Sequence, residues 1–105
     1  MDTQTIQQLQ ELRASLSRKH GGFPLDYCRI SSDAVNSAFG FKTTFGLFID
    51  NQGIGHGHHW NLTPQGQVVD ITATQFEREI PNVYVIDNDS LEAQKHYLEG
   101  VYYMI

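Results

Sequence analysis

The chain has 105 residues, a formal net charge of −5, and 40% hydrophobic against 18% charged residues. This length suits one domain, residues 1–105, with a single core. The acidic balance, with seven scattered Lys and Arg residues, argues against nucleic acid and anionic membrane as partners, because both bind basic patches. The N-terminus shows no signal segment and no window approaches about 18 apolar residues, so we expect a cytoplasmic protein.

A single cysteine, Cys28, is the one thiol of the chain. It therefore excludes an internal disulfide and any zinc site built from several cysteines. A lone cysteine fits a reducing compartment, or a thiol kept for its chemistry.

Two helices are predicted at the start of the chain. Residues 3–19 carry apolar residues at spacings of three and four, which is the pattern of an amphipathic helix. Asp26 suits the N-cap of a second helix over residues 27–39, which Gly40 would end. Cys28 would then lie in the first turn, where unpaired N–H groups and positive partial charge stabilise a thiolate.

Short strands are predicted after these helices, followed by one more helix. The strands cover residues 43–50, 54–62, 67–72 and 82–87. A capping pattern at residues 89–92 predicts a helix that runs to about Leu98. The last five residues are expected to form a strand or a packed tail. Helices followed by consecutive strands predict an α+β fold, with the N-terminal helices packed on a small antiparallel sheet.

The most informative stretch is a hairpin around the turn Thr63-Pro64-Gln65-Gly66. A type I turn closed by a left-handed glycine makes a three-residue loop, which places Trp60 opposite Asp70. His58 then lies one diagonal step away on the same face, since strand side chains alternate. A two-residue loop would instead place His59 opposite Asp70, so the residues alone leave both histidines open.

Asp70 stands in the apolar run V-V-D-I-T, where a carboxylate is costly unless it is paired. An imidazole N–H would satisfy it and would fix the tautomer of the histidine. A thiolate at a helix start, a histidine base and an orienting carboxylate together indicate nucleophilic catalysis by Cys28. The first-turn N–H groups could bind the developing oxyanion.

The histidines also allow other interpretations. His56 and His58 of the segment GHGHH share a strand face and, with Asp70, could bind a metal; but zinc needs three or four ligands and only histidines are local. We therefore assign no metal and no cofactor.

His20 and His96 lie on predicted helix faces and are expected at the surface. A binding module that keeps the fold without activity is the second alternative.

The order of these residues carries a family resemblance. A helix-starting Cys28, then His58-x-Trp60 on a strand, then Asp70-x-Thr72 on the next, resembles the papain-like and transglutaminase-like cysteine enzyme superfamily. More narrowly, HHWNLTPQGQVVDITATQF resembles the small bacterial YunG-type family, within a resemblance that covers roughly residues 22–80. It implies a papain-like fold and a catalytic triad of Cys28, His58 and Asp70.

One departure from the superfamily concerns the oxyanion hole. Papain-type peptidases carry a glutamine shortly before the cysteine, and the segment GGFPLDY has none. The donor that would act beside the Cys28 backbone N–H is therefore not assigned.

The expected activity is attack of Cys28 on a carbonyl of a peptide or protein amide. His58 would take the thiol proton and return it to the leaving group, while Asp70 orients His58. Proteolysis, deamidation, transamidation and acyl transfer all share the thioester step. Because the short chain has little room for substrate-binding insertions, a protein partner is expected to supply specificity.

Overall fold

Three helices and five strands make up residues 1–100, the part of the chain that the computed structural model describes. The predicted C-terminal tail lies outside these residues. Within them no helix is long and apolar enough to cross a membrane. The elements in chain order are α1 (Thr3–Lys19), α2 (Cys28–Phe39), β1 (Lys42–Ile49), β2 (Gly55–Leu62), β3 (Gln67–Asp70), a 3-10 turn (Ala73–Gln75), β4 (Tyr84–Asp87), α3 (Leu91–His96) and β5 (Tyr97–Glu99).

The five strands form one sheet in the order β4-β3-β2-β1-β5. Each neighbouring pair is antiparallel, which confirms the predicted α+β class with an antiparallel sheet. Strand β2 is central, and α2 packs beside it, so the two elements that carry the predicted site are in contact.

The hairpin between β2 and β3 has the predicted register. Asn61 pairs with Val69, and the backbone N–H of Thr63 donates to the carbonyl of Gln67 at 2.9 Å. Gly66 adopts φ 80°, the left-handed conformation that a three-residue loop requires. This register places Trp60 and Asp70 across from each other, because the turn sequence fixes the loop length.

The two faces of the sheet are covered by different helices. α1 and α2 cover one face through a core of Leu9, Leu16, Val35, Val69 and Ile71. The other face carries α3 and a core of Phe48, Trp60, Val68, Ala73, Tyr84, Ala93 and Tyr97. By strand alternation His58 belongs to the second face and His59 to the first.

The start of α2 differs from the prediction in its cap. Asp26 does not cap the helix, because it adopts a left-handed conformation with φ 66°. Tyr27 occupies the N-cap position and makes no side-chain capping bond, so Cys28 is the first residue of the helix. The first-turn N–H groups of α2 therefore donate no hydrogen bond to the side chain of the N-cap residue.

The end of the described chain also differs from the prediction. α3 stops at His96, and Tyr97–Glu99 forms β5 instead of continuing the helix to Leu98. The physical reason is the free edge of β1, whose backbone groups gain partners from β5. His96 is buried, not at the surface: its Nδ1–H donates to the carbonyl of Ile49 at 2.6 Å.

Candidate active site

A buried histidine–carboxylate pair lies at the end of the β2–β3 hairpin. His58 Nε2–H donates to Asp70 Oδ2 at 2.7 Å, and each residue is 2% exposed. Asp70 also accepts from the hydroxyl of Tyr97 at 2.7 Å and from the backbone N–H of Thr72 at 3.0 Å. Burial raises the pKa of Asp70, but the charge and hydrogen bond of His58 outweigh it, so the pKa stays below its usual value. Asp70 is therefore a charged acceptor.

Aromatic rings enclose the imidazole of His58. Phe76 meets it edge-on with ring centroids 5.0 Å apart, Phe48 edge-on at 5.9 Å, and Trp60 stacks on it at 5.9 Å. These rings fix the plane of the imidazole and exclude water from its bond to Asp70. A dry environment strengthens such a hydrogen bond.

The other ring nitrogen of His58, Nδ1, is directed away from Asp70. It is buried and completes no hydrogen bond of ordinary geometry with the described residues. Burial lowers the pKa of His58. The charge and hydrogen bond of Asp70 raise it, and Cys28 raises it further, so that the pKa rises to about 9. The raised pKa therefore favours the protonated ring near neutral pH.

Cys28 supplies the thiol beside this pair. Its Sγ lies 3.8 Å from His59 Nδ1. Burial raises the pKa of the Cys28 thiol, but the imidazole of His58 and a backbone hydrogen bond from His59 lower it below its ordinary value. Because the pKa of His58 is raised while that of Cys28 is lowered, the pair favours the thiolate–imidazolium form.

The sheet edge explains how a thiol on one face meets a histidine from the other. β3 pairs with β2 only at Asn61 and Leu62 and ends at Asp70, so within the described residues the N-terminal part of β2 has no β3 neighbour. Cys28 lies beside this part of β2. Its thiol contacts the imidazole of His59 and also interacts with His58.

Buried polar contacts fix α2 on β2. The hydroxyl of Ser32 donates to the carbonyl of Trp60 at 3.0 Å. Asn61 Nδ2 donates to the carbonyls of Ser32 at 3.0 Å and Phe41 at 3.2 Å. These bonds set the height of the helix along the strand and hence the position of Cys28.

The structure thus brings Cys28, His58 and Asp70 together, and it gives the two candidate histidines different partners. Asp70 pairs with His58. His59 touches the thiol, while burial and the neighbouring charge of His58 lower its pKa. His59 is therefore a neutral neighbour of the thiol near pH 7.

The third histidine of GHGHH has its own partner. His56 Nε2 lies 2.9 Å from Asp50 Oδ2, and its ring stacks on Phe76 with centroids 4.5 Å apart. His56 and His58 are therefore paired with different carboxylates. Within residues 1–100 no group of three or more His, Cys, Asp and Glu side chains is arranged to hold a metal ion.

Two contributors to the site were not predicted. Tyr97 holds Asp70, but the sequence pattern placed it inside a helix. The backbone N–H of Asp26 donates to Gln75 Oε1 at 3.2 Å. Asp26 lies two residues before Cys28. Gln75 belongs to the stretch that resembles the YunG-type family, but the sequence predicts no partner for it.

Comparisons of the chain with protein-family models, with curated proteins and with solved structures gave no match.

Proposed function

We propose that this protein is a papain-like, transglutaminase-like cysteine enzyme that attacks amide carbonyls through Cys28. His58 is the proton-transfer group and Asp70 orients it. The observation that carries the proposal is the buried 2.7 Å bond from His58 Nε2 to Asp70 Oδ2, beside a thiol whose pKa is lowered. An orienting carboxylate on one ring nitrogen leaves the other nitrogen for the nucleophile, which is the arrangement that triads share.

The proposed reaction begins from the thiolate–imidazolium pair. Cys28 Sγ attacks the carbonyl carbon, a C–S bond forms, and the π electrons of the carbonyl move to its oxygen. Collapse of this oxyanion breaks the C–N bond while His58 Nδ1–H gives its proton to the leaving amine. A thioester on Cys28 and a free amine result. Asp70 keeps Nε2 protonated throughout, so that Nδ1 alone exchanges the proton.

The second half of the reaction sets the outcome. Water or a second amine attacks the thioester and gives a proton to His58 Nδ1, and the C–S bond breaks to release the Cys28 thiolate. Attack by water gives proteolysis or deamidation, and attack by another amine gives transamidation. The carbonyl belongs to a peptide or protein amide in this proposal, and a protein partner supplies specificity. Each outcome passes through the same acyl-enzyme, so the acyl-enzyme is the species to test.

The test uses 4-nitrophenyl acetate, an activated ester that acylates thiolates. At about pH 6 an ordinary thiol is almost wholly protonated. We expect the folded protein to gain one acetyl group on Cys28, by intact mass and peptide mapping, faster than the same chain unfolded in urea. Cys28→Ser should gain none under these conditions. An equal or slower rate in the folded protein would contradict an activated nucleophile and favour an inactive binding module.

A further inference from the structure

One oxygen of Asp70, Oδ2, accepts two hydrogen bonds of the same length. His58 Nε2–H and the hydroxyl of Tyr97 each donate to this oxygen at 2.7 Å. The other oxygen, Oδ1, accepts from the backbone N–H of Thr72 at 3.0 Å and from its hydroxyl at 3.4 Å. A carboxylate has about four lone-pair sites, so these four donors occupy all of them. The imidazole and the phenol therefore share the charge of a single oxygen.

The phenol of Tyr97 is held by its neighbours where it meets Asp70. Tyr97 pairs with Phe48 across β5 and β1, and its ring lies edge-on to that of Phe48 with centroids 5.3 Å apart. On another side the ring packs on Trp60 at 4.9 Å. Burial and the charge of Asp70 raise the pKa of Tyr97 well above its ordinary value, so the hydroxyl keeps its proton. Tyr97 therefore donates to Asp70 throughout the neutral pH range.

A second donor on Oδ2 weakens the hold of Asp70 on a protonated imidazole. The hydrogen bond from the phenol stabilises the carboxylate charge, which leaves less of that charge to stabilise the imidazolium of His58. The hold is strong, because Asp70 and Cys28 raise the pKa of His58 to about 9. A general acid transfers its proton best when its pKa lies near the working pH. The phenol therefore shifts His58 in the direction that favours proton release.

We propose that Tyr97 is a positioning residue that eases the release of the His58 proton to the leaving amine, by sharing Asp70 Oδ2 with the imidazole. This inference rests on the proposed function. As the C–N bond breaks, its electron pair stays on the nitrogen and takes the proton from His58 Nδ1. Tyr97 keeps its own proton and acts only through Asp70.

Other titratable side chains interact with this pair or with Tyr97, and one of them offers a matched control. They are Cys28 of α2, His59 of β2, Tyr84 of β4 and Glu92 of α3. The hydroxyl of Tyr84 donates to Glu92. The ring of Tyr84 is buried and lies 6.4 Å from that of Tyr97. Tyr84→Phe therefore removes a phenol hydroxyl from the same core and leaves both donors on Asp70 Oδ2 in place.

The experiment follows the imidazole of His58 by NMR across pH in Cys28→Ser, where no thiol titrates in the same range. The titration midpoint of the His58 ring signals, assigned by their loss in His58→Gln, is compared with and without Tyr97→Phe or Tyr84→Phe. A hydrogen bond to a charged group corresponds to about one to two pH units, and part of this passes to His58. We therefore expect the midpoint to rise by about one pH unit in Tyr97→Phe and to stay unchanged in Tyr84→Phe.

A purely structural role of Tyr97 predicts the opposite direction. If the phenol only packs the core, its loss loosens the bond between His58 and Asp70, and the midpoint falls toward about 6.5. A fall or no change in Tyr97→Phe overturns the inference, and so does an equal rise in Tyr84→Phe.

A second measurement strengthens the same hydrogen bond and does not depend on the folding of Tyr97→Phe. Replacing the tyrosines of Cys28→Ser with Tyr84→Phe by 3-fluorotyrosine keeps the hydroxyl of Tyr97 and makes it a stronger donor. The midpoint of His58 should then fall below that of the same protein with ordinary tyrosine. A midpoint that stays or rises overturns the inference.

The 4-nitrophenyl acetate test decides the proposed function separately. A wild type that acylates faster when folded, with no rise of the His58 midpoint in Tyr97→Phe, overturns the role of Tyr97 and leaves the proposed function in place. A wild type whose folded thiol acylates no faster than the unfolded one overturns the proposed function, and with it any proton release to a leaving amine.

Discussion

At the scale of single residues, Asp70 shows how a charge can be buried in a strand of apolar neighbours. It lies between Val69 and Ile71, which belong to the core under α1 and α2, while its own side chain is on the opposite face. There it accepts from an imidazole, a phenol and a backbone N–H. A carboxylate with that many donors is stable without water.

The raised pKa of His58 predicts a pH dependence of stability, best measured in Cys28→Ser because the thiolate titrates in the opposite sense. The folded-state pKa is about 9, and Asp70 contributes more to it than Cys28 does, whereas an unfolded histidine titrates near about 6.5. Between these values the folded state holds a proton that the unfolded state has lost. In Cys28→Ser the pKa of His58 loses the part that Cys28 supplies but stays above the unfolded value because of Asp70. While Asp70 remains charged, the free energy of unfolding in urea should therefore be greatest just below about pH 6.5 and should fall as the pH rises above it.

Removing the charge of Asp70 is the control for this dependence. In Cys28→Ser with Asp70→Asn the pKa of His58 loses its main support, so the decline between pH 6.5 and 9 should flatten. A free energy of unfolding that rises through this range in Cys28→Ser would show that His58 is not held protonated by Asp70.

Among individual residues, the sequence predicts a partner for Asp70, and the structure shows this partner to be His58. Asp70 was noticeable because a carboxylate in an apolar strand needs a partner. Tyr97 and His96 gave no such signal, since an aromatic residue and a histidine near a helix end are ordinary. Their roles depend on β5 pairing with β1, which is a long-range contact.

At the scale of elements, the β2–β3 hairpin was predictable and the helix–strand junction was not. Pro64 and Gly66 fix the loop length, and the loop length fixes which residues face each other. The proximity of Cys28 to His58 depends instead on where β3 ends and how α2 packs on β2. No residue type predicts where a strand edge is left open. The sequence pattern therefore allows either His58 or His59 as the histidine of the site.

Gly46 is the point where three strands come close together. It pairs with His58 on β2 and with Glu99 on β5, and a Cβ there would collide with the backbone carbonyl of Leu98. Gly46→Ala should therefore displace β5, which carries Tyr97, and lower the free energy of unfolding by about 1–3 kcal/mol, as overpacking does. Urea unfolding measures the loss.

Gly57 provides the matched control for that substitution. It lies in β2, and a Cβ at this position would meet no atom within 4 Å. Gly57→Ala should leave the free energy of unfolding near that of the wild type. Equal losses in the two variants would mean that β5 does not approach β1 as closely as described.

At the scale of the whole molecule, the site is assembled from segments far apart in the chain. The thiol comes from α2, the imidazole of His58 from β2, the carboxylate from the end of β3, and the hydroxyl that donates to this carboxylate from β5. Two core clusters on opposite faces of the sheet hold these segments together. We propose that Cys28 and His58 titrate as one coupled pair, in which each residue shifts the pKa of the other.

The rate of Cys28 alkylation by iodoacetamide, measured across pH, tests this claim most directly, because the chain has one cysteine. The same measurement is made on His58→Ala, His59→Ala and the control His56→Ala, whose histidine pairs with Asp50.

The wild-type midpoint should lie well below the about 8.5 of a free thiol. It should rise toward that value in His58→Ala, change little in His59→Ala and stay unchanged in His56→Ala. A wild-type midpoint near 8.5 that His58→Ala does not move would contradict the account.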